Sequence, residues 1–152
     1  MRIAYVEDNS TNLALVERVA SMNQHTVVSY MEGEVAKEAL LHERFDLILM
    51  DVELAGEVSG LQVVRFLRAN GIQTPIVAVT AYAMTGDRDK CMEAGCNDYL
   101  PKPMPIAELL ALLNRYEKLL LEHVKAEPTG SATPETHFVG TPNGASAASP
   151  KE

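Results

Sequence analysis

The stretch Phe45–Leu54, FDLILMDVEL, decides the fold. Leu47–Met50 is a short apolar run with no polar alternation, and an acid, Asp51, follows it directly. A strand with only one buried face alternates apolar and polar residues; a strand covered on both faces does not. LILM therefore predicts a central strand sandwiched between helices, with Asp51 at its carboxyl end. Ile76–Thr80 (IVAVT) repeats the pattern and ends in a hydroxyl.

Working outward, further β-branched runs occur at Ile3–Val6, Thr26–Met31 and around Tyr99–Leu100. Between them lie apolar residues at helical spacing: Leu13, Val16 and Ala20; Val35, Ala39 and Leu40; Leu61, Val64, Phe66 and Leu67; a weaker set in Met84–Ala94; and Ile106, Leu109, Leu113 and Tyr116. Five strand–helix units of this kind predict an α/β fold, a doubly wound parallel sheet with helices on both faces. Turn chemistry agrees. Asp8, Asn9 and Ser10 can cap the first helix, Asn70-Gly71 can end the third, and Thr74-Pro75 precedes the fourth strand.

The chain has 152 residues, 13 Lys+Arg and 21 Asp+Glu, for a formal net charge of −8. That length suits one domain and leaves no room for a sizeable effector domain. The acidity argues against nucleic-acid binding, which needs clustered Lys/Arg. No run approaches the ~18 apolar residues of a membrane helix, and Ile3–Val6 is too short for a signal-peptide core. The expected location is the cytoplasm, with Cys91 and Cys96 reduced and serving as small core residues. From Glu127 to Glu152 the composition shifts to Pro, Gly, Ser, Thr and Ala, with Phe138 the one aromatic. Such a segment buries too little apolar area to offset its ordering entropy and is expected to be a flexible tail.

In a doubly wound sheet, ligands bind outside the carboxyl ends of the strands. The first strand ends in Glu7-Asp8, the third in Asp51 and the fourth in Thr80; the fifth runs into Lys102-Pro103. Three clustered carboxylates repel; a unit pair ~4 Å apart costs on the order of 4 kcal/mol at an effective dielectric of ~20. A hard divalent cation such as Mg²⁺ resolves the conflict. A carboxylate beside a metal, an amine and a hydroxyl can accept a phosphoryl group. In that reading Asp51 is the nucleophile, while Thr80 and Lys102 stabilise the developing charge.

The stretches AYVEDNSTN, FDLILMDVEL, VAVTAYAM and NDYLPKPM resemble the receiver domain of two-component response regulators over about residues 1–122, with a last helix extending to about 126. The resemblance implies a five-stranded flavodoxin-like sheet in the order 2-1-3-4-5, which the family itself exemplifies. It implies that Asp51 takes phosphate from a phosphohistidine on a histidine kinase or a histidine phosphotransfer protein, and that an unidentified output protein reads the result. It further implies direct Mg²⁺ ligation by Asp8, Asp51 and the Glu53 backbone carbonyl, with Glu7 acting through water. Thr80 and Tyr99 resemble the switch pair. The Lys102–Pro103 bond is expected to be cis, an isomer that X–Pro bonds reach cheaply. Glu53 and Tyr82 occupy the variable positions flanking the phosphoryl site and are expected to tune dephosphorylation.

The sequence departs from the family pattern after Asp51. Ala55-Gly56 stands at the usual proline site and Gly60 falls one residue late, which predicts a loop one residue longer. The last helix carries two apolar stripes: Ile106, Leu109, Leu113, Tyr116, Leu120 and Val124, and then Leu112 and Leu119 with His123. One can pack on the sheet. The other is read either as part of a broad buried face or as a homodimer or partner surface. The main enzymatic alternative is a haloacid-dehalogenase-like phosphatase with Asp51 as nucleophile. That class needs a second Asp two residues on, where this chain has Glu53, and an acidic pair after the nucleophile rather than before it. A flavodoxin would need a Ser/Thr-rich phosphate loop where Glu7-Asp8 stands. His25, His42, His123 and His137 lie on no catalytic motif and are expected at the surface.

Overall fold

The computed structural model describes residues 1–82 and 86–126. Five strands alternate with five helices: β1 (Arg2–Val6), α1 (Ser10–Met22), β2 (Thr26–Tyr30), α2 (Gly33–His42), β3 (Leu47–Asp51), α3 (Gly60–Ala69), β4 (Ile76–Thr80), α4 (Asp87–Ala94), β5 (Asp98–Pro101) and α5 (Ile106–Ala126). All strand pairs are parallel, in the order β2-β1-β3-β4-β5. The winding reverses between β1 and β3, which places their carboxyl ends side by side.

Every residue of β3 and β4 is buried. The period of two explains how LILM feeds two cores. Leu47 and Leu49 face α1 and α5, together with Ile3, Val77 and Val79. Ile48 and Met50 face α2, α3 and α4, together with Ala4, Val6 and Ala78. Cys91 and Cys96 are buried, unpaired members of the second core.

Asn9 caps α1 by accepting the Asn12 amide at 3.1 Å. Ser59 and Gln62 close a capping box at the start of α3, and Asn70 ends that helix. Gly60 opens α3 because nothing larger fits: a Cβ there would lie 1.9 Å from the carbonyl oxygen of Asp51. The loop before it passes through Gly56, which is exposed and has a φ of +107°.

One expectation needs correction. His25 is buried, whereas His42 and His123 are exposed and His137 lies outside the described residues. The turn after α1, with Gln24 at a φ of 61°, directs the imidazole inward against the N-terminal amine, 2.9 Å from Nδ1. Burial, then the amine's charge, lowers its pKa. Of the two readings of α5, burial follows the broad face as far as Tyr116. Leu109, Leu112, Leu113 and Tyr116 are buried, drawing on both stripes, while Ile106, Leu119 and Val124 stay exposed. The helix outruns the sheet, so its last turns have no strand beneath them. The weak fourth helix begins at Asp87; Met84 lies outside the described residues, as does the segment 127–152.

Gly60→Ala should force α3 away from the β3 terminus. We expect a loss of about 2 kcal/mol or more in stability, read from the urea midpoint. Slower phosphoryl uptake should accompany it, because the obstructed carbonyl belongs to Asp51 itself.

Candidate functional site

Strand register assembles the site. Val6 pairs with Met50 and Asp51 pairs with Val79, so Glu7 and Asp51 emerge as neighbours beside Thr80. The Lys102 amide donates to the Thr80 carbonyl at 2.7 Å, which ties the turn after β5 to the end of β4. The Lys102–Pro103 peptide is cis.

Lys102 Nζ bridges two acids, 2.8 Å from Glu7 Oε2 and 3.0 Å from Asp51 Oδ1. Both carboxylates are 1% exposed. Asp51 Oδ1 also accepts the Glu53 amide at 3.0 Å. Burial pushes the Asp51 carboxyl up to about 7; Lys102 opposes that rise and Glu7 adds to it. Burial alone would lower the Lys102 ammonium, but its two carboxylate partners more than offset this and raise it.

Asp8 completes the acidic set. Glu7, Asp8 and Asp51 each offer an oxygen, all within 4.8 Å of one another. Three convergent hard oxygens with one amine among them suit Mg²⁺, which takes a few carboxylates plus waters. Asp8 Oδ2 is held by the Ala55 amide at 3.0 Å, so the loop after Asp51 is anchored to a candidate metal ligand.

The remaining expected residues fall around this centre. Thr80 is buried; its Oγ1 donates to Glu53 Oε1 at 2.5 Å and accepts the Tyr82 amide at 3.0 Å. Tyr82 is exposed. Tyr99 sits on β5 opposite Ala78, half-buried, with the Arg88 guanidinium 5.5 Å from its ring centre. Thr80's hydroxyl is engaged by Glu53 rather than by Tyr99.

One member of the site is Tyr5. Its fully buried phenol donates to Glu7 Oε2 at 2.9 Å, the oxygen that Lys102 also contacts. Burial, then Glu7, raises its pKa. The signal for it lies in the sequence: an aromatic hydroxyl two residues before Glu7 shares its strand face.

A family model for the response regulator receiver domain matches residues 3–114. The chain belongs to that family. The polar-differentiation response regulator DivK of Brucella anthropi is 33% identical over 116 residues, which cover 75% of this chain and 94% of DivK. Hybrid signal transduction histidine kinase G of Dictyostelium discoideum is 34% identical over 131 residues, which cover 81% of this chain but only 4% of that kinase. Among solved structures, the receiver domain of a Pseudomonas aeruginosa PAO1 sensor histidine kinase is 39% identical with a TM-score of 0.68, covering 76% of this chain and 95% of that one. That structure holds a magnesium ion coordinated in its active-site cleft. Family membership establishes a phosphoacceptor signalling regulator and sets aside the dehalogenase-type phosphatase. Among the described residues no helix is long and apolar enough to cross a membrane.

The acidic cluster makes a prediction about the metal-free protein. Asp51→Asn removes one of two buried, facing carboxylates and leaves the Lys102–Glu7 pair intact. We expect it to raise stability without metal by about 1–3 kcal/mol in urea denaturation. Mg²⁺ should then raise the midpoint of the wild type and leave the variant nearly unmoved.

Proposed function

We propose that Asp51 is the phosphoacceptor of this receiver, taking its phosphoryl group from a phosphohistidine on a histidine kinase or histidine phosphotransfer protein. The observation that carries the reading is Lys102, held within 3.0 Å of both Glu7 and Asp51 with Thr80 at the adjoining strand end. A buried carboxylate with an amine at one oxygen is a positioned nucleophile. Attack by an Asp51 oxygen on phosphorus forms a P–O bond as the P–N bond to the donor imidazole breaks. The imidazole leaves with the electron pair and takes a proton from water. Lys102 supplies a fixed positive charge to the transferring oxygens, and the Thr80 hydroxyl supplies a hydrogen bond once it turns toward them.

Asp8, Asp51 and the Glu53 carbonyl are the proposed direct ligands of Mg²⁺, and Glu7 is a ligand through water. When bound, the ion would neutralise charge on the transferring phosphoryl oxygens. The acidic set in this chain and the ion seen in the Pseudomonas domain support this assignment. Thr80 and Tyr99 are the proposed switch pair, and the same pocket carries out self-phosphorylation and self-dephosphorylation. The receiver unit is taken as 1–122, with its helix running on to 126. Output through a partner protein or a phosphorelay, in the cytoplasm, is part of the same proposal.

Incubation with Mg²⁺ and acetyl phosphate followed by intact-mass analysis should show one phosphate adduct in the wild type and none in Asp51→Ala. An adduct that persists in Asp51→Ala would sink the assignment.

Tyr82 stands exposed at the mouth of the site, where it can control the approach of hydrolytic water. Tyr82→Ala should therefore change the half-life of the phosphorylated form several-fold. The check is the decay of the mass adduct after the donor is removed; equal half-lives would refute a gating role.

A further inference from the structure

Glu53 lies two residues beyond Asp51, outside the converging acids. Its carboxylate spans both donors at the end of β4: Thr80 Oγ1 reaches Oε1 at 2.5 Å, and the Ala81 amide reaches Oε2 at 3.3 Å. A hydroxyl has one proton to give. Thr80 accepts from the Tyr82 amide, so its single donation is committed to Glu53. A carboxylate lying across a hydroxyl and an adjacent amide satisfies them as two oxygens of a phosphoryl group would.

We infer that Glu53 is an internal competitor for the donors that a phosphorylated Asp51 recruits, a positioning residue that holds Thr80 back until an anion displaces it. The inference rests on the phosphoacceptor reading of Asp51. Phosphorylation places new negative charge beside Glu53 and demands the Thr80 proton. The two anions repel and cannot both hold that proton, so Glu53 must release it. Space is at hand: a cavity of about 380 Å³ opens beside Glu53, lined in part by Leu61, Tyr82, Asp87, Lys90 and Cys91. Among the described residues lining it, Lys90 is the single cation. It gives the released carboxylate a counter-charge on α4, although Asp87 on the same wall opposes it. Anion binding at Asp51 and a change of contacts on the β4–α4 side thus become one event.

Charge repulsion alone makes a different prediction, and Glu53→Asp separates the two. Asp keeps the charge but is shorter by one carbon–carbon bond, about 1.5 Å, so it cannot span both donors. The experiment titrates the full chain with beryllofluoride, a phosphoryl mimic, at saturating Mg²⁺, following the Ala81 and Tyr82 amide resonances. Glu53→Ala and Glu53→Asp should both bind the mimic about tenfold more tightly than the wild type, the factor supplied by one charge-assisted hydrogen bond. Glu53→Gln keeps the shape and weakens the acceptor, so it should fall between. Without the mimic, the Ala81 amide should exchange faster in the Ala and Asp variants than in the wild type. Wild-type affinity in Glu53→Asp with tighter binding in Glu53→Ala would overturn the inference in favour of charge alone. Unchanged affinity in all three variants would overturn it outright. A wild type that binds no beryllofluoride would remove the phosphoacceptor reading itself.

Discussion

The structure turns on one ammonium between two buried carboxylates. Glu7 and Asp51 are almost fully shielded from water and face one another, and Lys102 Nζ lies between them. Two such acids brought together without a cation would drive at least one to hold its proton. The cation arrives from the far end of the chain, and its place depends on the sheet order. With β2 outside β1, the first and third strands are neighbours at the winding reversal, so acids 44 residues apart become adjacent. β5, on the opposite edge of the sheet, delivers Lys102 through a turn bonded to Thr80. A strand order that parted β1 from β3 would separate the two acids.

Much of this was legible because burial on two faces leaves a clear mark. LILM and IVAV read as central strands before any coordinates, and the polar residue ending each run pointed to the sheet edge. Asn9 and Asn70 lie where turn chemistry puts them. What escaped has a common physical cause: it depends on where a side chain points, not on its spacing. His25 sits in a turn, where no period governs direction. The α5 stripes left two readings open because helical spacing cannot tell how far along the helix its burial extends. Tyr5 passed as one more strand residue, although its hydroxyl needs a partner when buried. Glu53 was expected as a carbonyl ligand and a rate-tuning residue; its side-chain bond to Thr80, 27 residues on, has no sequence signature.

The loop after Asp51 shows why a departure from the family pattern leaves the site intact. Its two ends are held independently of its length. The Ala55 amide is bonded to Asp8, and Gly60 packs against the Asp51 carbonyl. Between these anchors the chain passes through Gly56, exposed, with open space where a Cβ would point. An added residue there changes the outline of the loop without moving the oxygens of Asp8 or Asp51. Insertions are tolerated where backbone is solvated and unanchored.

Stiffness is distributed unevenly around the sheet. At the amino end of β4, Arg68 donates to the carbonyls of Ile72, Thr74 and Gly95 and to the Asn97 side chain, all within 2.9 Å. The Asn97 side chain in turn accepts the Ile76 amide at 2.9 Å. Gly95, at a φ of +117°, leaves no space for a Cβ against Arg68. The carboxyl end of α4 is thus bolted to α3 and β4. Its first turn lines the cavity beside Glu53 and Thr80 through Asp87 and Lys90. A change at Thr80 therefore meets α4 at the end away from the Arg68 network. The Glu53–Thr80 bond and the first turn of α4 share one cavity, so an event at Asp51 has a short physical route to that turn while the two cores stay packed.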